Sequence, residues 1–356
     1  VLNVAAASGM TKEEFLAQVD RGIQSSSSLP VTCALLKHLS ESLKKGDPAW
    51  WLKTLKAWDK RKFVAWSEAW GLFLTCVHFE VLSDAENPLV PYYPSCGGTA
   101  EADPSSAFAK FLADPPDSFF DRLKTGHRRS YVEARAPLWM SATVLYFQRK
   151  RLLPYYLVEV NAGAGLNLMA DILSGDKHFD SGLILARIGL DAEPLQLSDI
   201  VQRRWLTAAI TPENLTAIAA MDKAADALLK KQGEEAAFVQ LAPSAAEAAP
   251  KFIAQNIPVE PDAGLMVYNM GTTVRMTDPE YEAYKVTMAA TLLPWGDRGL
   301  WLEVESVRGE MYSNTFQFRL HRILDGVLKQ QLMGSVELGG GGNLQIEEAA
   351  KFLAVA

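Results

Sequence analysis

The chain has 356 residues, of which 49% are hydrophobic and 22% charged, and a formal net charge of -7. These values describe a globular chain long enough for one large or two ordinary domains. The acidic balance argues against a nucleic-acid backbone as the main partner. Three widely spaced cysteines (Cys33, Cys76, Cys96) without a C-x-x-C pair exclude a disulfide framework and a zinc site, and no metal is expected. No apolar run reaches the roughly 20 residues that span a bilayer, so no membrane partner is expected. Residues 1–8 lack an initiator Met and are too few to show a leader, which makes a cytoplasmic location the default expectation.

Thr11 to Glu14 form a capping box that opens a helix through Phe15, Val19 and Ile23. Ser25 to Ser28 and Pro30 break it, and a second helix is predicted over Val31 to Lys45. From Pro48 to Val77 the pattern stays helical and carries Trp50, Trp51, Trp58, Trp66 and Trp70. A small helical core explains these rings better than a ligand-stacking cage. His78 to Gly98 holds three prolines, the Tyr92-Tyr93 pair and a Gly-Gly stop, and reads as an ordered loop. His78 and Glu80 have the H-x-E spacing of zinc deaminases, but the required P-C-x-x-C is missing. An amphipathic piece over Phe108 to Phe120 comes next, then a helix over Tyr131 to Arg149 with Glu133 and Arg135 near its start.

After Pro154 strands alternate with helices, the pattern of a parallel sheet. Leu157 to Asn167 reads as a strand carrying Glu159, a tight turn with Gly163 and Gly165, and the start of a helix. Further strands are predicted at Leu183 to Ile188, Ala237 to Leu241, Gly264 to Tyr268 and Leu300 to Val304. Helices are predicted over Ile200 to Ala209, Pro212 to Lys231, Ala245 to Asn256 and Pro279 to Leu293. Thr315 to Leu320 and Gln331 to Leu338 complete the pattern as an antiparallel pair. Asp191, just after the second strand, is either a ribose ligand or a cap on the turn before Pro194.

The loop Gly163-Ala-Gly165-Leu-Asn-Leu168 lacks the third glycine of G-x-G-x-x-G, which disfavours a nicotinamide oxidoreductase. Glu159-Val-Asn161-Ala-Gly163-Ala-Gly165 instead resembles the acid-x-G-x-G-x-G of Rossmann-like S-adenosylmethionine-dependent methyltransferases, with Asn161 for the first glycine. Asparagine is the next best residue for a left-handed turn. The wider run V-E-V-N-A-G-A-G-L-N-L-M-A-D is similar to a signature of the bacterial domain-of-unknown-function family 2332. His78 to Gly98, Arg187 to Leu195 and Trp205-Leu206 extend that resemblance. Asn87 replaces a family His, Arg129 to Arg135 match only in part, and the tail after Glu337 lacks an expected His-Gly.

The resemblance implies an α/β fold: a Rossmann-like methyltransferase sheet, mostly parallel with an antiparallel strand near the C-terminus, over residues 151–356. Residues 1–150 are expected to form an all-helical domain acting as an acceptor lid. By the same analogy the cofactor is S-adenosylmethionine. Glu159 would meet its amino group directly or through water, and Asn161 would stand in for the first loop glycine at the cofactor. Gly163 and Gly165 would lie under the methionine and ribose, and Asp191 would take the ribose hydroxyls. Leu241 and Ala242 would flank the adenine, and Asn269 would face the acceptor. Bases or orienting groups are expected among His78, Tyr92, Glu133 and Arg135. The acceptor is a small molecule or protein side chain. The alternative is a non-catalytic methyltransferase-like subunit with a protein partner.

Overall fold

The computed structural model describes residues 9–63, 66–99, 101–129, 131, 138–307, 315–337, 342–344, 349 and 351–353. Its helices are α1 (Lys12–Ser25), α2 (Pro30–Lys45), α3 (Ala49–Ala57), α4 (Glu68–Ser83), α5 (Ser105–Ala113) and α6 (Asp117–Thr125). They continue with α7 (Leu138–Thr143), α8 (Ala170–Ser174), α9 (Ile200–Ala208), α10 (Leu215–Glu234), α11 (Ala249–Asn256) and α12 (Asp278–Leu292). The strands are β1 (Tyr155–Val160), β2 (Ile184–Asp191), β3 (Gln240–Pro243), β4 (Gly264–Met270), β5 (Gly299–Ser306), β6 (Thr315–Leu324), β7 (Val327–Glu337) and β8 (Gly342–Leu344). The chain forms two compact units: 1–130 with Asp199–Met221, and 131–198 with 222–356. Among the described residues, no helix is long and apolar enough to cross a membrane.

The first unit is helical. The capping box at its start is present, with the Glu14 N–H donating to Thr11 Oγ1 and the Thr11 N–H to Glu14 Oε2. Trp50, Trp51 and Trp58 are buried in one cluster with Phe15 and Phe73, where Phe15 stacks on Trp51 with ring centroids 5.0 Å apart. Edge-to-face and offset contacts of this kind make the tryptophans core. The segment carrying α9 closes the unit. Glu213 accepts the Thr32 N–H at 2.7 Å and the Thr32 hydroxyl at 2.9 Å, which satisfies donors at the open end of α2.

The end of α4 differs from the sequence reading. α4 does not stop at Val77 but runs on to Ser83, so His78 and Glu80 are helical. Both polar side chains are buried because groups distant in sequence satisfy them. Glu80 accepts from Ser118 Oγ at 3.0 Å and Arg122 Nη1 at 2.9 Å. The loop proper begins at Asp84 and carries two short 3-10 turns, Val90–Tyr92 and Pro94–Cys96.

The second unit is an α/β fold built on one mixed, eight-stranded sheet of order β3-β2-β1-β4-β5-β6-β7-β8. The five strands from β3 to β5 are mutually parallel, and β6 to β8 are added antiparallel. Val158, Val160, Leu265, Val267 and Trp301 share a core with Tyr281, Tyr284 and Met288 of α12. Residues of the opposite face alternate with these, and there Phe147 stacks on Tyr155 with centroids 4.8 Å apart. The β6–β7 connection is a two-residue turn, with φ of 50° at Asp325 and 74° at Gly326. Positive φ at both positions is what a tight hairpin demands, and Asp-Gly meets it. β2 also runs three residues beyond the predicted Ile188. Gly189 lies inside it because a Cβ there would stand 2.6 Å from Leu241 Cδ2 and 3.0 Å from Ala162 Cβ.

Candidate functional site

The strand order reverses between β1 and β4, the point at which open parallel sheets take their ligands at the carboxyl ends of the strands. There the chain leaves β1 through three left-handed residues, Asn161 (φ 65°), Gly163 (φ 59°) and Gly165 (φ 75°). Asn161 thus adopts the conformation that its replacement of a glycine implies. The N–H groups of Asn161 and Ala162 both donate to Leu190 O, at 2.7 and 3.0 Å. The helical stretch expected after the glycines is present but short. Leu166–Met169 is a 3-10 turn and α8 has five residues, so no extended helix terminus points at this loop.

Glu159 lies beneath the loop and is 3% exposed. Its Oε1 accepts the Asn167 Nδ2–H at 2.6 Å. Glu159 Oε2 and Asn167 Oδ1 are buried with no partner. Each such unmet oxygen costs about 1–3 kcal/mol, and a donor-only group such as an ammonium is suited to meet it. Burial pushes the Glu159 carboxyl up to about 8, against the opposing Asn167 hydrogen bond. Burial thus disfavours the charged form until a cation arrives to meet it. Trp139 Nε1–H donates to Asn167 O at 2.9 Å and fixes this turn.

Asp191 ends β2 and is 1% exposed. Its Oδ2 accepts the Gly163 N–H at 2.9 Å and its Oδ1 the Glu193 N–H at 3.0 Å. The carboxylate therefore caps the turn before Pro194 and ties the glycine loop to β2. On β3, Leu241 packs against the loop. Its Cδ2 lies 3.2 Å from where a Cβ on Gly165 would stand. Ala242 is paired with Leu190 in the sheet.

Asn269, near the end of β4, is fully buried and engaged at both ends of its amide. Its Nδ2 donates to Glu305 Oε1 at 2.7 Å, and its Oδ1 accepts from Trp301 Nε1. Glu305 also accepts the N–H groups of Thr272 (2.8 Å), Thr273 (3.1 Å) and Val274 (3.0 Å). Burial, with the nearby Glu303, pushes its carboxyl up to about 7. Glu303 accepts from Thr273 Oγ1 and from Tyr281 OH at 2.9 Å, and lies 3.3 Å from His321 Nε2. Burial works against its charge, but His321, Thr273 and Tyr281 hold it below the usual carboxylate range. The motifs of the sequence miss this buried network, whose one local signal is the alternation Trp301, Glu303, Glu305.

His78 and Tyr92 belong to the helical unit, while Glu159, Asn161, Gly163, Gly165, Asp191, Leu241, Ala242 and Asn269 belong to the sheet unit. Glu133 and Arg135 lie outside the described residues. His78 is 2% exposed, and burial drives its pKa down to about 4. It lines a cavity of about 30 Å3 bounded also by Thr32, Trp70, Thr75, Tyr93 and Arg128, with room for roughly two waters. Among the described residues, no group of three or more His, Cys, Asp or Glu side chains is arranged to hold a metal ion.

Comparison with curated proteins and with solved structures gives no match in either set. A family model does match, over residues 14–176 and 173–340, which together take in most of both units. The chain belongs to the bacterial family described as "Uncharacterized protein conserved in bacteria", domain of unknown function 2332.

Proposed function

We propose that the sheet unit is a Rossmann-like methyltransferase domain that binds S-adenosylmethionine at the carboxyl ends of β1 and β2. Its acceptor is a small molecule or a protein side chain. The observation that carries this reading is the Glu159–Asn167 pair, which leaves two buried oxygens without a partner beneath a left-handed loop at the strand-order reversal. A ligand with a primary ammonium supplies the donors that the pair lacks. Binding a cation there drives Glu159 to its charged form and releases a proton.

The remaining roles follow from the residues. Asp191 keeps the loop closed through Gly163, and a carboxylate at the end of the second strand is the acceptor that ribose hydroxyls call for. Leu241 and Ala242 give β3 an apolar end suited to a purine face. The bound group supplies an electrophilic methyl on a sulfonium, and the protein's part is to orient it and exclude water. A second reading, a non-catalytic binding subunit, is favoured by Asn269, whose amide is committed at both ends instead of facing an acceptor.

Calorimetric titration with S-adenosylmethionine and S-adenosylhomocysteine tests the binding. Micromolar affinity is expected for the wild type and its loss in a Gly163→Asp, Gly165→Asp double variant. Repeating the titration in buffers of different ionisation enthalpy should show proton release that disappears in Glu159→Gln. Absence of heat and of any thermal shift in ligand-free protein overturns the reading. Binding without turnover across an acceptor screen selects the second one.

A further inference from the structure

The helical unit holds a polar constellation that the methyl-transfer reading leaves unused. His78 Nδ1 lies 3.2 Å from Ala208 O and 3.0 Å from Ile210 O. Carbonyl oxygens only accept, so Nδ1 carries the ring proton and Nε2 presents a lone pair. Ser95 Oγ lies 2.8 Å from that Nε2. The proton in this contact is then the hydroxyl's, and Ser95 donates to the imidazole. A hydroxyl bonded to a neutral imidazole, whose far nitrogen is oriented by a third group, is the arrangement of an activated serine nucleophile. Here two backbone carbonyls stand where an aspartate would.

We propose that Ser95 and His78 form a nucleophile–base pair and that the helical unit cleaves carboxylic esters through an acyl-serine. Ser95 is half-buried, in the Pro94–Cys96 turn, whereas His78 is enclosed. The serine is thus partly exposed while its base is shielded. The turn is rigid. A Cβ on Gly98 would stand 2.5 Å from Val90 O and 2.6 Å from the Pro91 backbone, so the strand of loop behind Ser95 packs main chain on main chain. Tyr93 packs on the imidazole with centroids 5.3 Å apart. Burial keeps the imidazole in its base form at neutral pH, and the two carbonyls stabilise the imidazolium once it forms.

In the first step Ser95 Oγ bonds to the ester carbonyl carbon and its proton passes to His78 Nε2. The tetrahedral oxyanion then collapses, the bond to the alkoxide breaks, and Nε2 returns the proton to the leaving alcohol. Water repeats the sequence on acyl-Ser95, which gives the carboxylic acid and restores both residues. Water is the sole co-reactant.

The full chain is treated with an alkyl fluorophosphonate and with p-nitrophenyl acetate, and adducts are mapped by peptide mass spectrometry. One adduct at Ser95 is expected, absent in Ser95→Ala, with labelling slowed on the order of 100-fold in His78→Gln. Thermal melts establish that both variants fold. A second measurement uses the wild type alone, in case His78→Gln does not fold. The labelling rate is expected to level off by neutral pH, well above the value of about 4 to which burial lowers the imidazole. No adduct at Ser95, equal labelling in a folded His78→Gln, or a rate that climbs with hydroxide up to alkaline pH each overturns the proposal.

Discussion

Asp191 Oδ2 accepts the Gly163 N–H at 2.9 Å, so the acid that ends β2 fastens the loop that leaves β1. The loop is already anchored by the Asn161 and Ala162 N–H groups on Leu190 O. Three hydrogen bonds from one short turn to the last two residues of β2 make the two strand ends one rigid piece. Any ligand seated there meets a surface whose left-handed residues are held in place before it arrives, which lowers the ordering cost of binding.

Replacing Asp191 separates its two roles. Asp191→Asn keeps one carbonyl oxygen as acceptor and is expected to cost about 1 kcal/mol, whereas Asp191→Ala strands the buried Gly163 N–H and costs about 1–3 kcal/mol. Urea unfolding of the two variants checks the difference. Equal stability of Asp191→Ala and wild type would show that solvent replaces the carboxylate at no cost.

Glu159 makes stability depend on pH. Its folded carboxyl is raised from 4.5 to about 8, so the folded state binds the proton more tightly than the unfolded chain. The corresponding stability is fully present below about pH 4.5 and is lost as pH rises through 8. Between these limits the slope approaches about -1.4 kcal/mol per pH unit from this residue alone. Glu159→Gln, which is neutral at every pH, removes that slope and is more stable than wild type at pH 8.5. Denaturant unfolding from pH 5.5 to 8.5 measures it, and parallel curves for the two proteins would rule the effect out.

The two glycines behind Ser95 distinguish backbone strain from collision. Gly97 has φ of 80° with nothing within 4 Å of a Cβ, so Gly97→Ala costs the left-handed penalty of about 1–2 kcal/mol. At Gly98 the added carbon meets backbone atoms of Val90 and Pro91, which no rotamer can move. Gly98→Ala is therefore expected to cost more, about 3 kcal/mol, and to displace the turn. Differential thermal melts order the two variants, and the reverse order would contradict the packing.

The alternation of strands and helices after Pro154 is legible in the sequence because period-2 and period-3.6 patterns succeed one another with short breaks. The glycine turn and the left-handed Asn161 are legible for the same local reason. The order of the strands is not a local property, and neither is the satisfaction of buried polar groups. His78 and Glu80 look like loop residues because Ala208, Ile210, Ser118 and Arg122, which bury them as helical residues, lie far along the chain. Asp325-Gly326 is a local hairpin signal, and the antiparallel pair extends right up to it, beyond the stretches that hydrophobic patterning alone marks out. Ser95 carries no signal of its own in Y-Y-P-S-C-G-G, since a serine after a proline is an ordinary turn residue.

Glu305 offers the sharpest contrast between a buried charge and its substitutes. Its carboxylate gathers the Asn269 amide of β4 and the N–H groups of Thr272, Thr273 and Val274 in the segment that leaves it, four donors in all. Glu305→Ala strands all four in a buried setting and is expected to cost about 3–5 kcal/mol. Glu305→Gln retains an oxygen for Asn269, Thr272 and Thr273 but turns an NH2 toward Val274, donor against donor, and should cost about 1–3 kcal/mol. The sign with pH follows from burial, which raises the carboxyl from 4.5 to about 7. Its stabilising difference is complete below about pH 4.5 and is lost as pH rises through 7, so the gap between wild type and Glu305→Gln narrows toward alkaline pH. Hydrogen exchange localises the effect, because the Thr272, Thr273 and Val274 amides should exchange faster in Glu305→Ala, and Val274 alone in Glu305→Gln, while amides within β1 do not. Unchanged exchange at those three positions would mean that the chain after β4 is held by its packing and not by the carboxylate.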